Sequence, residues 1–157
     1  MSFDLIGRNK LPKGEKSQSL NDTSMVVMIN GGDVDDTKSD NSKSNYLSSL
    51  PIKDADKNIS FCINNSGYRS LMGVLIERDI MNEFPNMMLN SGQYIPSIIC
   101  NKVHQTLEKY IKSYDEDQFE KDKEFLENSK SWSIEEFKDL LSEFSTFCKR
   151  SGGYYIY

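Results

Sequence analysis

The stretch 132–157 most constrains what this chain can fold into, because it contains a complete run of helix start, amphipathic helix, helix stop and strand. Ser133 and Glu136 form a Ser-x-x-Glu capping box, and Trp132 and Phe137 are spaced as a hydrophobic staple. Ile134, Phe137, Leu140, Leu141, Phe144, Phe147 and Cys148 then recur at steps of three and four, so they share one helical face that must be buried. Lys149 and Arg150 place positive charge in the last turn, where the helix dipole favours it, and Gly152-Gly153 supplies the positive φ that ends such helices. The closing Tyr154-Tyr155-Ile156-Tyr157 favours an extended strand. These features bear strongly on the fold and hardly at all on an activity.

The rest of the chain reads as an α+β order in a single domain, 1–157. Phe3 and Leu5 alternate with polar neighbours, predicting a short strand at 2–6 that stops at Gly7. Residues 8–57 are rich in Lys, Asp, Asn, Ser and Gly and read as a largely flexible polar insertion, with 58–157 the main folded core. Inside the insertion only 25–29 is apolar enough to pair as a strand, before the Asn30-Gly31-Gly32 turn signal. The acids of 33–41 do not make a calcium loop, since Lys38 and Ser44 stand where an EF-hand starting at Asp33 requires Gly and Glu.

Ile59, Phe61 and Ile63 alternate as in a half-buried strand that Asn64-Asn65-Ser66-Gly67 ends. A helix follows at 68–82, with Leu71, Val74, Leu75 and Arg78 on one side and Gly73 allowing close packing. After the Asn90-Ser91-Gly92 loop, Pro96 opens a helix striped by Ile99, Val103, Leu107, Tyr110, Ile111 and Tyr114. A more polar helix spans 115–127 and buries little beyond Phe119, Phe125 and Leu126. The economical arrangement is one small sheet containing the N- and C-terminal strands and the strand at 59–63, covered on one face by about four helices. Strand direction is not readable from these patterns.

Charge and cysteine usage narrow the setting. A net charge of −5 and a pI near 5.0 argue against a general nucleic-acid binder, whose affinity comes mostly from Lys and Arg. The excess is local, because 115–139 holds ten acids against four lysines, a net of −6. That segment reads either as a solvated helix face or as an acidic surface for a basic protein partner. No stretch approaches the roughly 18 apolar residues of a membrane helix, and Met1-Ser2-Phe3-Asp4 lacks the basic start and apolar run of a signal peptide, so the expected location is the cytoplasm. Cys62, Cys100 and Cys148 are odd in number, widely spaced and set in apolar patterns, as reduced core thiols are. The sequons at Asn21, Asn58 and Asn64 carry no meaning in a cytoplasmic chain.

Several of these residues also resemble a family of uncharacterised bacterial and phage or prophage proteins. That family opens with Met-x-x-Asp-hydrophobic-x-Gly, continues with a strand ending in Asn-Asn, an aromatic turn with Trp-Arg-Pro-Leu and a loop of Asn, Asp or Ser with Gly, and closes with Phe-Ser-x-Glu, a helix and Ser-Gly-Gly-aromatic-x-Ile. The matches here are Asp4, Leu5 and Gly7; Asn64, Asn65, Tyr68, Arg69 and Leu71; Ser91 and Gly92; and Ser133, Glu135, Phe144, Phe147, Ser151, Gly152, Gly153, Tyr154 and Ile156. Gly67-Tyr68 stands where relatives tend to carry two tryptophans, Ser70 replaces the proline, the turn is one residue shorter and the last helix about one turn longer. The resemblance implies fold and setting, a phage- or prophage-type accessory factor, more than chemistry.

The constellation with functional potential is Asn64, Asn65, Tyr68 and Arg69, at a strand end and a helix start. Free backbone N–H groups, asparagine amides and a guanidinium together suit an anionic small molecule, bound or acted upon. The competing reading has the asparagines capping the helix while Arg69 pairs with Glu77 or Asp79. Cys100 and His104 lie four apart on a helix, as two zinc ligands might, but no second closely spaced pair completes a site. A thiol-hydrolase triad from the same two residues would put base and nucleophile within one helical turn, and Glu135 and Glu136 are explained by the capping box. No phosphate loop, Rossmann glycine set, Gly-x-Ser-x-Gly or His-Glu-x-x-His is present, so no cofactor is implied. The residues therefore favour a non-catalytic binding or interaction protein, with an enzyme on an anionic small molecule as the alternative.

Overall fold

The structure, a computed structural model, describes residues 2–10, 26–27 and 58–157. The turn at 30–32, the acids of 33–41 and the flexibility expected of the insertion lie outside the described residues.

The architecture is α+β. A five-stranded antiparallel sheet runs in the order β2-β3-β1-β5-β4, from β1 (Ser2–Lys10), β2 (Val26–Val27), β3 (Asn58–Asn64), β4 (Gln93–Ile95) and β5 (Tyr154–Ile156). Strands from the two ends of the chain therefore pair directly: Leu5 opposes Ile156, Ile6 opposes Tyr155 and Gly7 opposes Tyr154. On its other side β1 takes β3, with Phe3 opposite Ile63 and Leu5 opposite Phe61. Tyr157 prolongs the ladder by donating its N–H to Asp4 O at 2.9 Å. β5 is thus an interior strand, and its tyrosines are no free pairing edge.

Four α-helices are described: α1 (Asn65–Glu77), α2 (Ser97–Lys112), α3 (Glu116–Asp122) and α4 (Ile134–Ser151). Alternation along the strands sends Phe3, Leu5, Phe61, Ile63, Tyr154 and Ile156 to one face, and all six are buried. Phe144 and Phe147 of α4 meet Phe61 there at ring distances of 5.7 and 5.5 Å, and Tyr154 at 6.4 and 5.2 Å. Tyr68 of α1 stacks on Phe3 at 4.0 Å. The helix α2 packs along α4 and completes the layer.

Helix α4 forms as its sequence directs. Ser133 Oγ accepts from Glu136 N and Glu136 Oε2 accepts from Ser133 N, closing the capping box. Trp132 stands edge-on to Phe137 at 5.6 Å as the staple, and Gly152 ends the helix at φ 65°.

Three boundaries differ from the sequence reading. The first strand runs through Gly7 to Lys10, so residues 8–10 belong to the sheet and not to the insertion. Gly7 serves close packing: a Cβ there would lie 2.9 Å from Ile59 O and 3.0 Å from Ser151 Cα. Beyond it the register shifts, and the buried Asn58 amide fills the irregularity by donating to Gly7 O at 2.6 Å. The helix expected at 68–82 instead spans Asn65–Glu77, because Asn64 Oδ1 caps Gly67 N at 2.7 Å and so starts the helix earlier. The polar helix of 115–127 shortens to α3 and tightens into a 3-10 turn at Lys123–Phe125. Gly73 does allow a close approach, since a Cβ would sit 3.2 Å from Phe125 O.

Candidate functional site

The groups expected to gather around Asn64 have separate partners. Asn64 is spent on the helix cap, and Asn65 is the first residue of α1. Tyr68 is fully buried, its ring against Phe3 and its hydroxyl donating to Met87 O at 2.7 Å; burial raises its pKa well above the ordinary phenol value. Arg69 is half exposed and pairs at 3.7 Å with Glu127, not with Glu77 or Asp79. The neighbouring Ser70 hydroxyl accepts from Glu127 N at 2.8 Å, so α1 is tied to the chain after α3. The structure brings Asn64 and Asn65 together and directs the functional atoms of Tyr68 and Arg69 elsewhere.

Among the described residues the densest polar cluster is centred on Asp122, a residue the sequence patterns did not single out. Its carboxylate is fully buried, yet both oxygens are met by donors. Arg78 reaches Oδ1 through Nε and Nη2, both at 2.9 Å, and Gln118 Nε2 donates to the same oxygen at 3.1 Å. Tyr110 and Tyr114 donate their hydroxyls to Oδ2 at 2.5 and 3.0 Å. Burial first, then the hydrogen bond and charge of Asp122, pushes both phenols up, so they remain donors. Burial works to lower the Arg78 pKa, but hydrogen bonding and charge from Asp122 carry it upward, and the guanidinium also lies 5.7 Å from the Phe125 ring. The cluster joins α1, α2 and α3 at one point. A signal was present: Phe119, Asp122 and Leu126 share the apolar face of the segment, where a carboxylate needs a built partner set.

A second chain of polar side chains joins α2 to α4. The buried Ser145 hydroxyl donates to Glu108 Oε1 at 2.8 Å and lies 2.9 Å from His104 Nδ1. Serine, histidine and carboxylate are all present, but in the order carboxylate, serine, histidine. A nucleophilic serine gives its proton to the histidine, which the carboxylate orients; here the serine proton goes to the carboxylate. The geometry is that of an interhelical clasp. His104 is drawn to Ser145, so it does not meet Cys100, whose sulfur lies at the limit of hydrogen bonding, 4.0 Å, from Ile95 O.

None of the three cysteines is in a disulfide. Hydrogen bonding from Cys148 lowers the Cys100 pKa against the opposing effect of burial, while burial drives Cys148 well up. Cys62 donates to Asp4 Oδ1 at 2.6 Å. Among the described residues no three His, Cys, Asp or Glu side chains gather as a metal site, and no helix is long and apolar enough to cross a membrane. No protein-family model, curated protein or solved structure significantly matches the chain.

Proposed function

We propose that the chain is a non-catalytic binding protein, a phage- or prophage-type accessory factor of the kind the resemblance implies, and that it meets a basic protein surface through the acids of 115–127. The observation that carries this reading is the anchoring of the acidic segment by Asp122. A solvated acidic helix of seven residues has no need of a buried ionic hub. Locked by one, it keeps Glu116, Asp117 and Glu124 exposed on a fixed support, beside Asp115, which caps α3, and Glu120, which pairs with Lys123. Charges fixed before an encounter lose little freedom on binding and steer an oppositely charged partner. Cys62, Cys100 and Cys148 as unbridged thiols suit work in the cytoplasm.

The test is charge reversal. A Glu116→Lys, Asp117→Lys, Glu124→Lys variant retains the fold by circular dichroism and loses a partner that cross-links to the parent protein in its native cells. Equal recovery of that partner by the reversed variant overturns the reading. The alternative, an anionic small molecule bound or turned over at Asn64, Asn65, Tyr68 and Arg69, draws on one observation: the Arg69 pair is long and half exposed, leaving the guanidinium open to exchange. A folded Arg69→Ala variant that loses carboxylate or phosphate binding favours it.

A further inference from the structure

The sheet face turned away from the helices carries an ordered row of tyrosines. Ile6 opposes Tyr155 and Tyr94 opposes Tyr155, so these three side chains emerge on one face, and Tyr157, two residues on, joins them. The Tyr94 and Tyr155 rings lie 4.8 Å apart and those of Tyr155 and Tyr157 6.4 Å apart, each pair tilted by less than 40°. All three are partly exposed. Ile6 beneath them is buried, so the rings rest on apolar ground.

Positive charge closes one end of the row. Arg8 is exposed, lies 5.9 Å over the Tyr94 ring and gives one of its five N–H donors to Tyr94 Oη at 3.4 Å. Asn9 Nδ2 bonds Arg150 O at 2.8 Å, fastening the last turn of α4 to β1. Lys10 follows on β1 and donates to Asn58 Oδ1. Asp4 is the one acid among the described strand residues of this face, and it accepts the Cys62 thiol. The acids of 115–127 belong to the helical layer on the opposite side, where α3 is tied to α1 and α2 through Asp122.

We infer that this face binds single-stranded nucleic acid, bases stacking along Tyr94, Tyr155 and Tyr157 while Arg8 meets the backbone phosphates. Successive aromatic rings on an antiparallel sheet accept any base through its π face, and a cation at the end of the row supplies the charge that holds the backbone. The low pI excludes a binder that works by charge alone, but it does not bear on one led by stacking, because the acidic excess sits on the other layer. This surface is separate from the acidic one, so either reading stands or fails without the other.

Fluorescence anisotropy of the full chain with a labelled unstructured oligonucleotide of about 10 nucleotides tests it. Binding is expected at about 50 mM salt, weakening toward about 200 mM. Tyr155→Leu and Tyr157→Leu, which keep bulk and strand propensity but remove the ring, should each weaken it about tenfold, Arg8→Gln should weaken it and flatten the salt dependence, and Tyr155→Phe should preserve it. No binding at low salt, or binding that folded Tyr155→Leu and Arg8→Gln variants leave unchanged, overturns the proposal. So does light scattering showing a dimer that Tyr155→Leu dissolves, since the face would then belong to a second copy of the chain.

Discussion

Arg78, in the residue that ends α1, holds the fully buried carboxylate of Asp122, the last residue of α3, through two nitrogens each 2.9 Å from the same oxygen. Forty-four positions separate the two residues, so the pair fixes how the acidic segment lies on the core. Removing one partner of a buried pair costs about 3–5 kcal/mol, much of it for the charge left behind. Asp122→Ala should therefore destabilise the chain by about 3 kcal/mol or more in denaturant unfolding. Arg78→Met should cost about as much, because it leaves a fully buried carboxylate that two tyrosines and Gln118 supply with hydrogen bonds but with no countercharge. The double variant should cost less than the sum of the singles, and strict additivity would show that the pair is not a unit.

Gly7 faces backbone atoms on two sides, Ile59 O and Ser151 Cα. Neither can withdraw like the end of a flexible side chain. Gly7→Ala should then lower stability by about 1–3 kcal/mol, the usual cost of overpacking. Thermal melts of the variant measure it, and an unchanged melting temperature would mean the sheet and the end of α4 are free to part.

These two sites mark how far the sequence was legible. Period-3.6 and period-2 patterns placed α4, α2 and the strands around Leu5 and Phe61, and the capping box located Ser133, because those signals are local. That the first and last strands share a sheet followed from economy of burial, while their direction and the register of Leu5 opposite Ile156 did not, since the residue pattern is the same for either sense. Gly7 was read as a stop, although only the packed partners Ile59 and Ser151 reveal that it is a contact. Asp122 was hidden for the same reason: its partners come from 44, 12, 8 and 4 positions away, and only the shortest separation is a helical spacing. Around Asn64 the capping alternative was legible and is what Asn64 does, whereas Arg69 turned to Glu127 because α1 packs against the chain after α3.

The Glu108–Ser145–His104 chain fixes a tautomer. Ser145 gives its proton to Glu108, so its oxygen must accept from His104, and Nδ1 must carry the hydrogen. Two-dimensional proton–nitrogen correlation at a pH of about 8.5, where an ordinary imidazole is neutral, should show the less common Nδ1–H form. Ser145→Ala should abolish that preference and cost about 1–2 kcal/mol, in keeping with one buried hydrogen-bond chain lost between helices. An Nε2–H ring in the parent protein would reverse the donor order deduced here and reopen Ser145 as a group that histidine can activate.

Glu143 supplies a pH dependence whose sign is fixed by its surroundings. Burial on α4, and secondarily the charge of Asp139 one turn away, pushes its carboxyl up to about 7. In the unfolded chain the same group titrates at about 4.3. Below that value it is protonated in both states and contributes no difference. Between the two values the folded state keeps a proton that the unfolded state has released, so stability falls as pH rises, and above about 7 the full cost of a desolvated carboxylate stands. Discounted for solvent screening at a half-buried position, that cost is roughly 1 kcal/mol. Glu143→Gln removes the charge and keeps the shape. Its unfolding free energy should match the parent at a pH of about 4 and exceed it at about 8 by that amount. A variant no more stable than the parent at the higher pH would place Glu143 in contact with water throughout.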